Sequence, residues 1–268
     1  MNIKRIITSL VGFPLVAILL TLGNKYIVDI AFSIIAILSL HEFYNAFSKK
    51  ANPVKWVGYF FAIIIAFIHI IPGDFVKGYL QLLIPSIIAV LFLIVVVTEL
   101  KINIKDISIT LLGICYVLGF IVFLPMIKGL ENGTILVWYV LFIAWGTDIF
   151  AYLIGKKIGK HKFSNISPNK SIEGCIAGLL GSLLLTIPYT IILNKFLDQN
   201  ISYIYIILIS IALSILSQIG DFAASSIKRY VGIKDFSNLI PGHGGMLDRI
   251  DSVIFIAPFA YFLLLNLL

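Results

Sequence analysis

Asp221, Ser225 and Lys228 stand at i, i+4 and i+7, a spacing that sets a carboxylate, a hydroxyl and an ammonium on one stripe of a helix. Beyond a glycine-bearing connection, Asp248 and Asp251 are i and i+3 and share a face, with Arg249 turned away. Three carboxylates and a hydroxyl from two helices form an oxygen-rich set of the kind that holds Mg²⁺ together with substrate phosphates. Lys228, Arg229, Lys234 and Arg249 can then neutralise anionic oxygens. A plainer reading is open as well: the three aspartates pair with Lys228 and Arg249 and only fix helix packing.

Two further segments carry polar chemistry. In Pro241-Gly242-His243-Gly244-Gly245, glycines let backbone N–H groups approach a ligand, and the helix start that follows favours phosphate; a simple turn explains the same residues. His243 binds phosphate, assists a proton transfer, or simply anchors the loop through a hydrogen bond. In Ser167-Pro168-Asn169-Lys170-Ser171-Ile172-Glu173-Gly174, Ser171 can cap a helix with Glu173 in its first turn. Lys170 beside that helix start is not explained by capping. Asp148, Glu173, Asp221, Asp248 and Asp251 all border apolar runs on one side, and carboxylates at such positions usually face a bundle interior or a wet cavity.

The elements that hold these residues are apolar to an unusual degree. Of 268 residues, 60% are hydrophobic and 12% charged, against about 25% charged in soluble domains, and the mean hydropathy is +1.06. That balance excludes disorder, a secreted disulfide scaffold and a soluble nucleic-acid binder. Cys115 and Cys175 lie in apolar runs without ligand spacing and read as packing residues. The expected fold is an all-α integral membrane protein, a polytopic bundle of about nine transmembrane helices. The spans run near Ile6–Leu22, Tyr26–Phe47, Val57–Ile71, Leu80–Thr98, Ile107–Ile127, Ile135–Ile154, Ile172–Leu193, Ile201–Ile219 and Leu247–Leu268. The first lacks a small-residue cleavage site and reads as an uncleaved helix. Residues 1–130 form an N-terminal transmembrane region, and 131–268 a C-terminal catalytic region.

Basic residues orient the bundle. Lys4 and Arg5, then Lys49, Lys50 and Lys55, Lys101 and Lys105, the five lysines between Lys156 and Lys170, and Lys228, Arg229, Lys234 and Arg249 fall on one side, leaving Lys25, Lys77, Lys128 and Lys195 on the other. The positive-inside rule makes the first side cytoplasmic and places the N-terminus there. His41 and Glu42, near the cytoplasmic end of the second span, either border the site or mark an interfacial helix end; His69 reads as interfacial.

The run Ser225-x-Ile227-Lys228-Arg229-x4-Lys234-Asp235-x-Ser237-x2-Ile240-Pro241-x-His243-Gly244-Gly245-Met246-x-Asp248-Arg249-Ile250-Asp251 resembles the signature of the phosphatidate cytidylyltransferase, or CDP-diglyceride synthase, family. Asp148-x3-Tyr152-x2-Gly155-x3-Gly159-Lys160 and the Ser167–Gly174 run resemble its other motifs, with Ile172 where an aromatic is frequent and Asn169 where lysine is common. The motifs cover the C-terminal half; the first five spans resemble the family only in length and hydropathy. The resemblance implies the reaction of CTP with phosphatidate to CDP-diacylglycerol and pyrophosphate, with Mg²⁺ and a second, monovalent cation such as K⁺. It maps the metal positions onto Asp221 and Asp248, with Ser225 and Lys228 close by, and suggests a homodimer.

On this reading Asp221, Asp248 and Asp251 serve the metal, and Lys228, Arg229, Lys234 and Arg249 the phosphates. Lys170, with Ser167 and Ser171 in its turn, holds CTP. The expected site is a cytoplasmic one in the cell membrane. A CTP-dependent kinase of lipid alcohols is the rival enzyme, releasing CDP. A transporter is the rival from another class, but it should show halves with matching broken helices, and no internal repeat is visible.

Overall fold

The computed structural model describes residues 3–71, 73–164, 167, 170–197 and 200–265, with the backbone alone at 3–7, 9 and 73–81. Lys4, Arg5 and Lys77 of the charge count, and Pro168 and Asn169 of the Ser167–Gly174 run, therefore have no described side chain.

Among the described residues there are helices and two isolated bridges but no strand. The helices follow the apolar runs in order. They are α1 Ile3–Leu22, α2 Lys25–Ala46, α3 Lys55–Ile64, α4 Gly73–Val97, α5 Ile104–Gly113, α6 Gly133–Ile158, α7 Ile172–Phe196, α8 Tyr203–Val231 and α9 Leu247–Leu264. From α5 the chain stays helical to Lys128 through a wide π turn at Ile114–Leu118. Among the described residues, five helical stretches are long and apolar enough to cross a bilayer, and residues such as Leu10, Val96, Phe196 and Ile204 are more than two-thirds exposed. An apolar exterior of this kind is stable against lipid and not against water.

The third span is shorter than the hydropathy predicts. After Ile64 the helix tightens into a 3₁₀ turn at Ile65–Phe67 and then leaves helical geometry. His69 contacts Asp29 of α2, Nδ1 to Oδ1 at 2.8 Å, with the Asp29 carboxylate fully buried. A buried carboxylate needs such a partner, and this contact takes the last turn out of the predicted span.

The chain divides into two compact units, Met1–Met126 with Val231–Arg249, and Ile127–Tyr230 with Ile250–Leu268. In the first, Tyr44 of α2 is fully buried between Gly58 and Gly113, where an added Cβ would come within 2.5 Å of its hydroxyl and 2.4 Å of its ring, respectively. Its hydroxyl donates to the Thr110 carbonyl at 3.0 Å, which fixes α2 to α3 and α5. The segment before α3 is pinned by Asp106, which accepts the Asn52 N–H at 2.6 Å and, through its other oxygen, the Asn103 N–H at 2.9 Å.

In the second unit α6 and α7 cross closely on small residues. A Cβ on Gly146 would lie 2.6 Å from the Gly181 carbonyl oxygen, and one on Gly178 would lie 2.9 Å from the Thr147 carbonyl oxygen. Small residues let helix backbones approach in lipid, where burial of apolar surface drives no association. Hydroxyl pairs bind α8 to this pair: Thr147 with Ser214 at 2.7 Å, and Ser210 donating to Thr186 at 3.0 Å.

Candidate functional site

The second unit positions Lys170. Between α6 and α7 the chain doubles back, with the Phe163 N–H on the Lys170 carbonyl at 3.0 Å and the Ile172 N–H on the His161 carbonyl at 2.9 Å. Ser171 then caps α7 by accepting the Gly174 N–H at 3.1 Å, and Glu173 accepts His161 Nδ1 at 2.6 Å and the N–H groups of Lys160 and His161. Gly155 and Gly159 are where they are because α6 ends against this cap: a Cβ on Gly159 would come within 2.3 Å of the Ser171 hydroxyl. Capping and packing thus account for Ser171, Glu173 and the two glycines.

Lys170 is different. Its ammonium forms an ion pair with Asp221 and lies 4.4 Å from the centre of the Phe222 ring. Burial pulls its pKa below the ordinary lysine value, an effect that Asp148 and Asp251 oppose and Lys228 reinforces. The backbone N–H of Lys170 donates to the Ser167 carbonyl at 3.0 Å.

On α8, Ser225 and Lys228 are buried and Asp221 is a quarter exposed, whereas Arg229 faces outward. The stripe read from the spacing is therefore a buried face. Asp251 is buried too, and its Oδ1 accepts the Ser252 N–H at 2.8 Å; the Ser252 hydroxyl reaches Asp148 at 3.4 Å.

The first unit holds Asp248 and the glycine loop. Gly232, Gly242 and Gly244 have φ of +80°, +80° and +88°, backbone that L side chains rarely adopt. Asp248 is buried, and its Oδ2 accepts the N–H groups of Phe236 at 2.8 Å and Gly245 at 3.0 Å. Glu42, only 3% exposed, accepts the Ser237 hydroxyl at 2.6 Å and the N–H groups of Met246 at 2.9 Å and Leu247 at 2.8 Å. The His243 ring meets the Thr8 hydroxyl at 2.6 Å, and Lys234 and Arg249 are exposed.

Two findings modify the sequence reading. The N–H groups at the start of α9, which that reading offers to phosphate, are engaged here by Glu42 and Asp248. And Glu42 is no interfacial helix end but a buried acceptor; the visible signal was a carboxylate in the last turn of a span, which is costly unless it has partners.

Asp221 and Asp251 belong to the second unit and Asp248 to the first, since the unit boundary crosses α9 after Arg249. Carboxylate and hydroxyl oxygens are the hard donors Mg²⁺ prefers, and a cation, the Lys170 ammonium, already pairs with Asp221. Among the described residues no three His, Cys, Asp or Glu side chains converge as a ready cage. The donor set therefore fits an ion held through one or two carboxylates and completed by water and substrate phosphates, which is the usual habit of Mg²⁺.

Residues 3–267 match the profile of the cytidylyltransferase family. A phosphatidate cytidylyltransferase of Staphylococcus haemolyticus (strain JCSC1435) is 34% identical over 268 residues, covering 98% of this chain and 99% of that protein. One from Staphylococcus aureus (strain COL) is 33% identical over 98% of each chain. One from Bacillus subtilis (strain 168) is 41% identical over 140 residues, 52% of this chain and 51% of that protein.

Proposed function

This chain belongs to the cytidylyltransferase family, and from that premise we propose how it acts as a membrane enzyme that transfers CMP from CTP to phosphatidate, giving CDP-diacylglycerol and pyrophosphate. The observation that carries the mechanism is the pair of lysines, Lys228 buried and Lys170 three-quarters buried, set among carboxylates. Such a cluster of opposite charges suits the binding of polyanions together with a cation.

A phosphatidate oxygen attacks the α-phosphorus of CTP; the new P–O bond forms as the bond to the β-phosphate oxygen breaks, and pyrophosphate leaves with the electron pair. The nucleophile is already an anion at neutral pH, so no strong general base is required. The work lies in bringing two polyanions together in line and stabilising charge on the departing group. Lys228, Arg229, Lys234 and Arg249 receive phosphate oxygens of the two substrates. Lys170 leaves Asp221 for the triphosphate, held in place by the turn that runs from Ser167 to the Ser171 cap. His243, Gly244 and Gly245 order the loop before α9, and Ser225 lies beside Asp221 on α8.

We assign Mg²⁺ to Asp221 and Asp248, with Asp251 supporting; the assignment rests on the motif resemblance and on the oxygen chemistry in each unit. Bound there, Mg²⁺ would supply neutralisation of the phosphate charge, and a monovalent cation such as K⁺ accompanies it in this reading. The charge asymmetry of the loops supports a multi-pass protein of the cell membrane with its N-terminus and site on the cytoplasmic side, where CTP is found. A homodimer is proposed from the resemblance alone.

Purified protein supplied with CTP, phosphatidate and Mg²⁺ tests the reading. The expected products are pyrophosphate and CDP-diacylglycerol in equal amounts. CDP in place of pyrophosphate would transfer the assignment to a lipid kinase.

A further inference from the structure

The sequence gives no role to the first five helices, yet a carboxylate from α2 closes the start of α9. Ordinarily a helix start is capped by a side chain from its own first turn. Here the donors of Met246 and Leu247 are taken by Glu42, at 2.9 and 2.8 Å, from 204 and 205 residues away, and Ser237 adds its hydroxyl at 2.6 Å. The neighbouring N–H, that of Gly245, goes to Asp248. Three successive N–H groups are thus divided between two buried carboxylates, one of them a proposed metal residue.

The fit is close. A Cβ on Gly245 would lie 2.6 Å from Glu42 Oε2, so only glycine lets the chain pass between Glu42 and the bond to Asp248. The bonds from Phe236 and Gly245 fall on the same oxygen of Asp248, Oδ2, which helps to orient that carboxylate. Any shift of residues 245–247 therefore turns Asp248. Glu42 is itself held, because α2 is fixed in its last turn by Tyr44 against Gly58 and Gly113.

We infer that Glu42 is a positioning residue for CMP transfer: from α2 it anchors the start of α9 and through it aims the Asp248 carboxylate at the metal. The inference rests on the proposed function, with Asp248 as a metal residue. It assigns the N-terminal helices a share in the reaction, that of a rigid mount for one carboxylate. Partners that orient metal-binding carboxylates typically affect metal affinity or activity by about ten- to a hundredfold.

The test is Glu42→Gln, which keeps the volume but turns an amide NH₂ toward one of the backbone donors. In purified enzyme the expected result is a kcat lower by about tenfold or more and an Mg²⁺ requirement raised by a similar factor, with KM for CTP changed by less than about threefold. A Glu42→Gln enzyme with wild-type kcat and wild-type Mg²⁺ dependence overturns the inference, as does a change confined to the melting temperature. Should that variant not fold, Ser237→Ala removes one of the three bonds; it should move the Mg²⁺ requirement in the same direction, and an unchanged requirement overturns the inference. Wild-type enzyme that makes no CDP-diacylglycerol would instead defeat the functional reading, and full turnover in Asp248→Asn would defeat the metal assignment, so the failures are distinguishable.

Discussion

Replacing Asp221 by Asn separates the two readings of the buried charges. The Lys170–Asp221 pair is about three-quarters buried on each side. Its loss should cost more than an exposed pair, ~0–1 kcal/mol, and less than a fully buried one, ~3–5 kcal/mol. Because Lys170 keeps Asp148 and Asp251 in its surroundings, we expect about 1–2 kcal/mol of lost stability, small against a typical total of 5–15 kcal/mol. If Asp221 holds the metal, turnover should fall by roughly a thousandfold, which is about 4 kcal/mol of barrier at 1.36 kcal/mol per tenfold. The two effects differ enough to be told apart. CDP-diacylglycerol formation at saturating CTP and phosphatidate, titrated with Mg²⁺, gives the loss of turnover; a melting curve in the same detergent gives the loss of stability. A folded Asp221→Asn enzyme whose turnover is within tenfold of wild type would refute the metal assignment and leave the pair as a packing device.

Three other predictions are more local. Because burial lowers the pKa of Lys170, the group gives up its charge at a lower pH than an ordinary lysine, so the alkaline limb of kcat/KM should lie below 10.5 and move upward in Lys170→Arg, whose guanidinium does not titrate there. A pH–rate series on both enzymes checks this, and coincident limbs would count against it. Gly181→Ala places a Cβ 2.5 Å from the Gly146 carbonyl oxygen and should destabilise the α6–α7 crossing by about 1–3 kcal/mol through overpacking, read from the melting temperature. Gly159→Ala meets the Ser171 hydroxyl at 2.3 Å and should displace the α7 cap at a cost of about 1 kcal/mol or more, lowering kcat/KM several-fold because Lys170 adjoins that cap.

The helix order was legible because apolar runs of bilayer length admit few other structures, and the i, i+4, i+7 spacing of Asp221, Ser225 and Lys228 was legible as one face because helical periodicity is local. The Ser171 cap and the outward turn of Arg249 are equally local and follow from spacing. What escaped were contacts between distant segments. Nothing within ten residues of Glu42 shows that it will close a helix 204 positions later, nor that Asp29 will pair with His69 and shorten the third helix. The loop 231–249 reads as an extension of the C-terminal helices, yet it clusters with the first five. Its backbone donors, free to phosphate by pattern, are engaged by carboxylates that pattern alone could not bring there.

The most direct measurement follows the phosphorus atoms of CTP. Purified enzyme given phosphatidate, Mg²⁺ and CTP labelled at either the α or the γ phosphate should place the α label in the lipid and the γ label in pyrophosphate. Appearance of the γ label in the lipid, with the α label left in CDP, would contradict the account.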